Sequence, residues 1–271
     1  MKRLIPINLF INSGKYISMT ESESKLKILR ENIKEFQAST GQKKYQWYEQ
    51  GVVGIFDTIR TYEENTRAFK EYLIQLGLLP KLVNIKWSML TNKQQEEIEP
   101  WAISVPSTIR FTVNSSHKYN HSSINEYVAS LRNTSIDTQV GMWKHEKTKY
   151  ELLHNEWKYY KKNVVPIMSQ HKKIQLDQGS LTCISEEPKL YASDIYRVLG
   201  KEIFLECGTI KNELLMEYVT KGFIHKSELA LFRKVRDVRL RYSLFLNERY
   251  DRRLDFLQDK LTKYSTNSQG R

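Results

Sequence analysis

His117 and His121 lie four residues apart, a spacing that on a helix puts two imidazoles on one face as potential metal ligands. No third ligand stands near them and their neighbours are mostly Ser and Asn, so solvated side chains are the better reading. Cys183 and Cys207 are the two cysteines, and they form no CxxC or His-Cys cluster, which argues for neither a zinc finger nor a disulfide framework. Glu96, Glu97 and Glu99 gather at a helix start, where carboxylates complement the helix dipole without any catalytic role. The chain has no GxxxxGKS/T loop, no GxGxxG, no HExxH and no GxSxG. These absences point to a non-enzymatic protein with no catalytic residues, no bound metal and no cofactor.

Cations interleaved with aromatics are better represented. Between Met142 and Lys173 stand eight lysines (144, 147, 149, 158, 161, 162, 172 and 173) against Glu146, Glu151 and Glu156. From Lys226 to Arg253 nine cations, mostly arginine, stand against four acids, and arginine suits phosphate forks. With 43 Lys+Arg, 31 Asp+Glu and a net charge of +12, the natural partners are polyanions. The residues nominated for phosphate contact are Arg110, Lys144, Lys147, Lys149, Lys158, Lys161, Lys162, Arg233, Arg236 and Arg239. Double-stranded DNA is the expected partner and RNA the alternative. No apolar run approaches the roughly 18 residues of a membrane span, so none is expected.

The elements that would carry these residues read as helical. Leu26, Leu29, Ile33 and Phe36 recur at helical spacing in an amphipathic helix placed at 23–44. Ile55, Phe56, Ile59 and Tyr62 suggest another, and Thr91 with Gln94 makes a capping-box start. The stretch 147–164 has no Gly or Pro and is the surest helix of the middle region. Thr108 to Val113 alternates and is β-branched, a local strand signal. Ser122-Ser123 reads as a helix cap, and residues 171–190 as a linker. A last long helix is expected over Ser227 to Tyr264. There Val235, Val238, Tyr242 and Phe245, then Leu254, Leu257, Leu261 and Tyr264, keep a 3-4 spacing that would suit a helical protein partner. Met1 to Thr20 lacks acids and mixes Lys2, Arg3 and Lys15 with apolar residues, so residues 1–22 read as a mitochondrial targeting segment.

One repeat organises the middle of the chain. Trp87 and Trp101 are 14 residues apart, as are Trp143 and Trp157, and Phe56 and Phe111 precede the pairs by 31 and 32 residues. The stretch Ile85-Lys86-Trp87-Ser88-Met89-Leu90-Thr91, then Val140-Gly141-Met142-Trp143 with the basic segment from Tyr150 to Val164, resembles the HMG box. In particular, it resembles the tandem boxes of yeast-type mitochondrial DNA-packaging proteins. Ile98 and His154 depart from the family, which keeps an aromatic there.

The resemblance implies an all-α fold with HMG-like three-helix units at 45–105 and 106–170, and a helical C-terminal region at 191–271 that could be an eroded third box. Trp87, Trp101, Trp143 and Trp157 would be box-core residues. Ile109 and Phe111, or Ile55 and Phe56, would be wedges driven between base steps to bend the duplex. The function so implied is weakly sequence-specific binding and bending of double-stranded DNA, in mitochondrial DNA packaging or copy-number control. The place would be the matrix nucleoid, with the nucleus or cytoplasm as alternative. Other readings are an RNA- or ribosome-associated helical protein and a helical interaction scaffold.

Overall fold

A computed structural model of the protein describes residues 5–64, 66–114, 121–168 and 171–268. In chain order its elements are α1 (Ile5–Asn12), α2 (Lys15–Ser39), β1 (Lys44–Trp47), β2 (Val52–Glu64), α3 (Thr66–Gln75), α4 (Leu79–Leu82), β3 (Val83–Asn84), α5 (Asn92–Ile98) and β4 (Thr108–Val113). There follow α6 (His121–Leu131), α7 (Ile136–Met168), β5 (Lys173–Leu176), β6 (Gly179–Ile184), α8 (Ala192–Leu199), α9 (Glu202–Cys207) and β7 (Thr209–Ile210). The last are α10 (Asn212–Thr220), α11 (Lys226–Phe232), β8 (Arg233–Leu246) and α12 (Asn247–Ser268). The strands form three sheets, ordered β1-β2-β8, β3-β7 and β4-β6-β5.

The expectation of an all-α chain is therefore corrected. Thr108–Val113 is a strand, as its local alternation indicated and the box repeat denied. The segment read as a linker carries β5 and β6, and Ile55, Phe56, Ile59 and Tyr62 lie on β2. The long C-terminal helix is interrupted by β8. Among the described residues no three-helix box forms at either tryptophan pair: Trp87 and Trp101 sit in 3-10 turns, whereas Trp143 and Trp157 share one helix. Lys2, Arg3, His117 and the side chains of His121, Ser122, Ser123, Leu261 and Tyr264 lie outside the described residues.

Two compact units divide the chain. One comprises residues 1–57, 106–185 and 240–253, and the other 58–105, 186–239 and 254–271. In the first, α2 and α7 run antiparallel in one register. Lys15 meets Glu156 at 2.8 Å, Lys25 meets Glu146 at 3.9 Å, and Asn32 Nδ2 donates to Gln139 Oε1 at 2.9 Å. Each step up α2 is matched by an equal step down α7. The buried face of α2, with Leu26, Leu29 and Ile33, is the one its spacing foretold.

Two cores lie along this helix pair. Trp143 packs with Leu29, Ile33, Trp47, Val52, Val140 and Tyr242, and Trp157 packs with Ile7, Phe10, Ile11, Phe111 and Leu181. The Phe10 ring stacks on Trp157 at 5.6 Å, and the Tyr16 ring meets Trp157 edge-on at 5.0 Å. On β4, Ile109 and Phe111 point inward while Thr108 and Arg110 point out, the period-two pattern of a half-buried strand. Gly179 of β6 is required there, because a Cβ would come within 2.3 Å of Thr112 O and 2.7 Å of the Phe111 ring. The buried Gln37 of α2 donates its Nε2 hydrogens among Gln42 O, Lys43 O and Gly54 O, fixing the entry to β1 and β2.

The second unit has one apolar core. Phe69 and Leu73 of α3, Leu79 and Leu82 of α4, Ile195 of α8, Phe204 of α9 and Leu215 of α10 are all within 1 % of complete burial. The capping box at Thr91 and Gln94 is formed and opens α5. Lys70 is buried in this unit with its Nζ donating to Leu205 O at 2.7 Å, and desolvation lowers its pKa. Burial, with the hydrogen bond to Glu228, pushes the Tyr72 phenol up to about 12.

The segment 5–22, read as a targeting peptide, forms α1 and the start of α2, and supplies Ile7, Phe10 and Ile11 to the Trp157 core. Replacing Phe10, which is 2 % exposed, with Ala is expected to destabilise the first unit by about 3–5 kcal/mol in urea unfolding. The Lys15 hydrogen bond holds the Glu156 carboxyl below its usual pKa, against burial and with help from Tyr160. That stabilisation is present above the unfolded carboxylate pKa and is lost as pH falls through the lower folded value. Unfolding of Lys15→Met should accordingly show a shallower loss of stability between about pH 5 and about pH 3 than the native chain.

Candidate nucleic-acid interface

β1 pairs with β2 from Val52 to Ile55, and beyond that point β8 is the neighbour of β2 in the sheet among the described residues. Within the second unit, the stretch from Thr58 along β2 and Arg233–Arg239 of β8 make a two-stranded ribbon. Thr61 Oγ1 donates to Asp237 O at 3.4 Å, and four residues back along β2 Asp57 meets Arg241, four residues on along β8, at 3.7 Å. The two strands are therefore antiparallel. Period-two geometry then sets Arg60 and Tyr62 of β2 on the same face as Lys234, Arg236 and Val238 of β8.

This face is open to solvent. Tyr62 is 41 % exposed and Val238 55 %, and Arg60, Lys234 and Arg236 are all exposed. These three cations make no ion pair among the described residues. Arg239, on the opposite face, is paired with Asp237. Arg233 is 8 % exposed, with Nη2 donating to Asn212 Oδ1 at 2.9 Å and its guanidinium 4.3 Å from the Tyr62 ring centre. Of the three arginines nominated on β8, Arg236 is thus free on the ribbon face, Arg239 is neutralised and Arg233 is built into the wall of the unit. Arg60 and Tyr62 were missed. They lie outside both basic runs, and their signal was the alternation of cation and aromatic on a β-branched stretch.

The lysines of α7 in the first unit divide in the same way. Lys144 Nζ donates to Gln50 O at 2.8 Å, and Lys147 pairs with Glu151 at 3.1 Å. Glu151 also accepts from Arg249. Lys149 is half-buried, and Lys161 lies 5.8 Å from the Trp157 ring with its pKa lowered by desolvation and then by Lys158. Lys158 and Lys162, one turn apart, and Arg110 of β4 are exposed and without ion pairs among the described residues.

The proposed wedges are not at the surface. Ile109 is 5 % and Phe111 8 % exposed, and both belong to the Trp157 core. Ile55 and Phe56 are half-buried on β2, with the Phe56 ring 4.9 Å from that of Tyr242. The tryptophans are unequal: Trp143 and Trp157 are each 5 % exposed, Trp87 is partly buried, and Trp101 is 40 % exposed with Arg197 over its ring at 5.4 Å. On α12, Leu254, Phe256 and Leu257 are exposed. Among the described residues no group of three His, Cys, Asp or Glu side chains could hold a metal, and no helix is long and apolar enough to cross a membrane.

Truncating Trp143 to Ala should therefore cost about 3–5 kcal/mol, whereas Trp101→Ala should cost under about 1 kcal/mol, both read by urea denaturation. Equal costs would restore the equivalence of the two pairs. No protein-family model matches the chain, and no curated protein or solved structure matches it.

Proposed function

We propose that this is a non-enzymatic protein that binds double-stranded DNA through the basic β-ribbon of its second unit, with the exposed lysines of α7 as a further phosphate-contacting surface. The observation that carries the reading is the set of cations Arg60, Lys234 and Arg236, without ion pairs among the described residues, around Tyr62 and Val238 on one ribbon face. Cations already neutralised by carboxylates have little left to offer a phosphate, whereas unpaired ones release counterions from DNA when they bind it.

The shape of the element favours DNA over RNA. A two-stranded ribbon fits the major groove of B-form DNA, about 12 Å wide, while the major groove of A-form RNA is too deep and narrow to admit it. Phosphate contact from arginine and lysine positions the ribbon and carries no base code, so sequence preference is expected to be weak. Bending by apolar wedges is not part of this reading, because Ile109 and Phe111 are committed to a core.

Fluorescence anisotropy with duplex DNA over a series of salt concentrations tests it. The native chain should lose affinity steadily with salt. The triple variant Arg60→Ala, Lys234→Ala, Arg236→Ala should flatten the log–log salt slope by about 3, one phosphate contact for each cation removed. Absence of salt-sensitive duplex binding, an unchanged slope in the variant, or stronger binding to structured RNA would each refute the proposal.

A further inference from the structure

Arg110, Thr182 and Lys173 form one row across the sheet β4-β6-β5 of the first unit. Arg110 is the register partner of Thr182 on β6, and Thr182 is in turn the partner of Lys173 on β5. Paired residues share a face, so the row lies on one side of the sheet, with Thr112, Ser180 and Gln175 in the next row. Ile109, Phe111 and Leu181 of the same strands are buried in the Trp157 core, so the row faces away from α7. We infer that this outer face is a second docking surface for double-stranded DNA, meeting the phosphate backbone from outside the grooves; this rests on the reading of the chain as a DNA-binding protein.

Charge selects the partner. Arg110, Thr112, Lys173 and Gln175 are exposed, and Arg110 and Lys173 make no ion pair among the described residues. Thr108 and Ile184 complete the face, and no strand position on it is acidic. Asp177 follows β5 in the turn to β6, where its Oδ2 accepts from Asn12 Nδ2 at 3.4 Å. Asn12 belongs to α1, which packs on the Trp157 core, so that carboxylate is drawn to the inner side of the sheet. Strand β6 ends at Ile184, short of Glu186 and Glu187, which belong to the second unit. A face with cations, hydroxyls and no carboxylate is complementary to a polyanion.

Shape decides how the duplex is held. A two-stranded ribbon enters a major groove about 12 Å wide, but three strands backed by α7 are too wide to follow it in. With neighbouring strands about 4.8 Å apart, Arg110 and Lys173 stand about 10 Å apart at the backbone, on either side of the Thr182 hydroxyl. Arginine, lysine and hydroxyl side chains are the usual donors to phosphate oxygens, and such contacts carry no base code. The face has no aromatic residue on which an unpaired base could stack, so single strands gain nothing from it.

Acylation of lysines in the full chain, read by mass spectrometry with and without duplex DNA, tests the inference. Duplex should shield Lys173. The double variant Arg110→Ser, Lys173→Ser, at two exposed strand positions, should flatten the log–log salt slope of duplex binding by about 2, in addition to the change expected of the ribbon variant. Equal acylation of Lys173 with and without duplex, or an unchanged slope in the double variant, would overturn the inference. Stronger shielding of Lys173 by poly-glutamate than by duplex would assign the face to acidic proteins and overturn it as well. Lys234 on the ribbon separates the two readings. Shielding of Lys234 without Lys173 leaves the ribbon standing and sinks the sheet surface, and shielding of Lys173 without Lys234 does the reverse.

Discussion

The first unit depends on α7 burying two indoles on one side of a single helix. Fourteen residues fall about 40° short of four full helical turns, so Trp143 and Trp157 project in nearly the same direction. Both must be covered along a span of about 21 Å. Only another long helix can do that with its backbone groups satisfied internally, and α2 meets the requirement in antiparallel register. The sheets then close the two ends of the pair. β4 and β6 bring Phe111 and Leu181 to Trp157, and β1 and β2 bring Trp47 and Val52 to Trp143. The repeat in the sequence was therefore half meaningful: its second copy marks one helix with two cores.

Much of the helical skeleton was legible. The buried stripe of α2, the capping box at Thr91 and the uninterrupted stretch of α7 are local signals, set by helical periodicity and by side-chain to backbone hydrogen bonds that need no distant partner. The first tryptophan pair misled because matching intervals say nothing of backbone conformation. Trp87 and Trp101 are held in short turns around α5, with Pro100 in the second turn itself. Strand β4 was signalled by its own alternation and overruled by the repeat, and the residues were the better guide.

The loss of β8 has a sharper cause. Val235, Val238, Tyr242 and Phe245 satisfy a helical spacing, but so selective a reading passes over Leu240 and Leu244. With those included, Val238, Leu240, Tyr242, Leu244 and Leu246 alternate without a break, separated by Arg239, Arg241, Ser243 and Phe245. Two periods fit one stretch, and the count of apolar positions explained decides for the strand. No local signal could have supplied its partner. Pairing of β2 with β8 joins residues some 176 positions apart, as Thr61 and Asp237 show, and the ribbon face exists only after that pairing. The site was therefore half visible, as a run of arginines on β8 without the Arg60 and Tyr62 that complete it.

That pairing also determines where the net charge of +12 can act. On a helix a cation at one position has a neighbour four residues away, and this chain repeatedly places a carboxylate there: Lys27 with Glu23, Lys93 with Glu97, Lys147 with Glu151, and Lys221 with Glu217. Much of the helical charge is thereby neutralised within its own element. On a strand the nearest neighbours on a face are two residues away and on the adjoining strand, and around Arg60 and Arg236 those positions hold Thr58, Tyr62, Lys234 and Val238, none of them acidic. Like charges held on a narrow ribbon destabilise it in isolation and are relieved by a polyanion. The same sequence excess is thus largely paired along the helices and left without ion pairs at Arg60, Lys234 and Arg236 among the described residues, and secondary structure decides which.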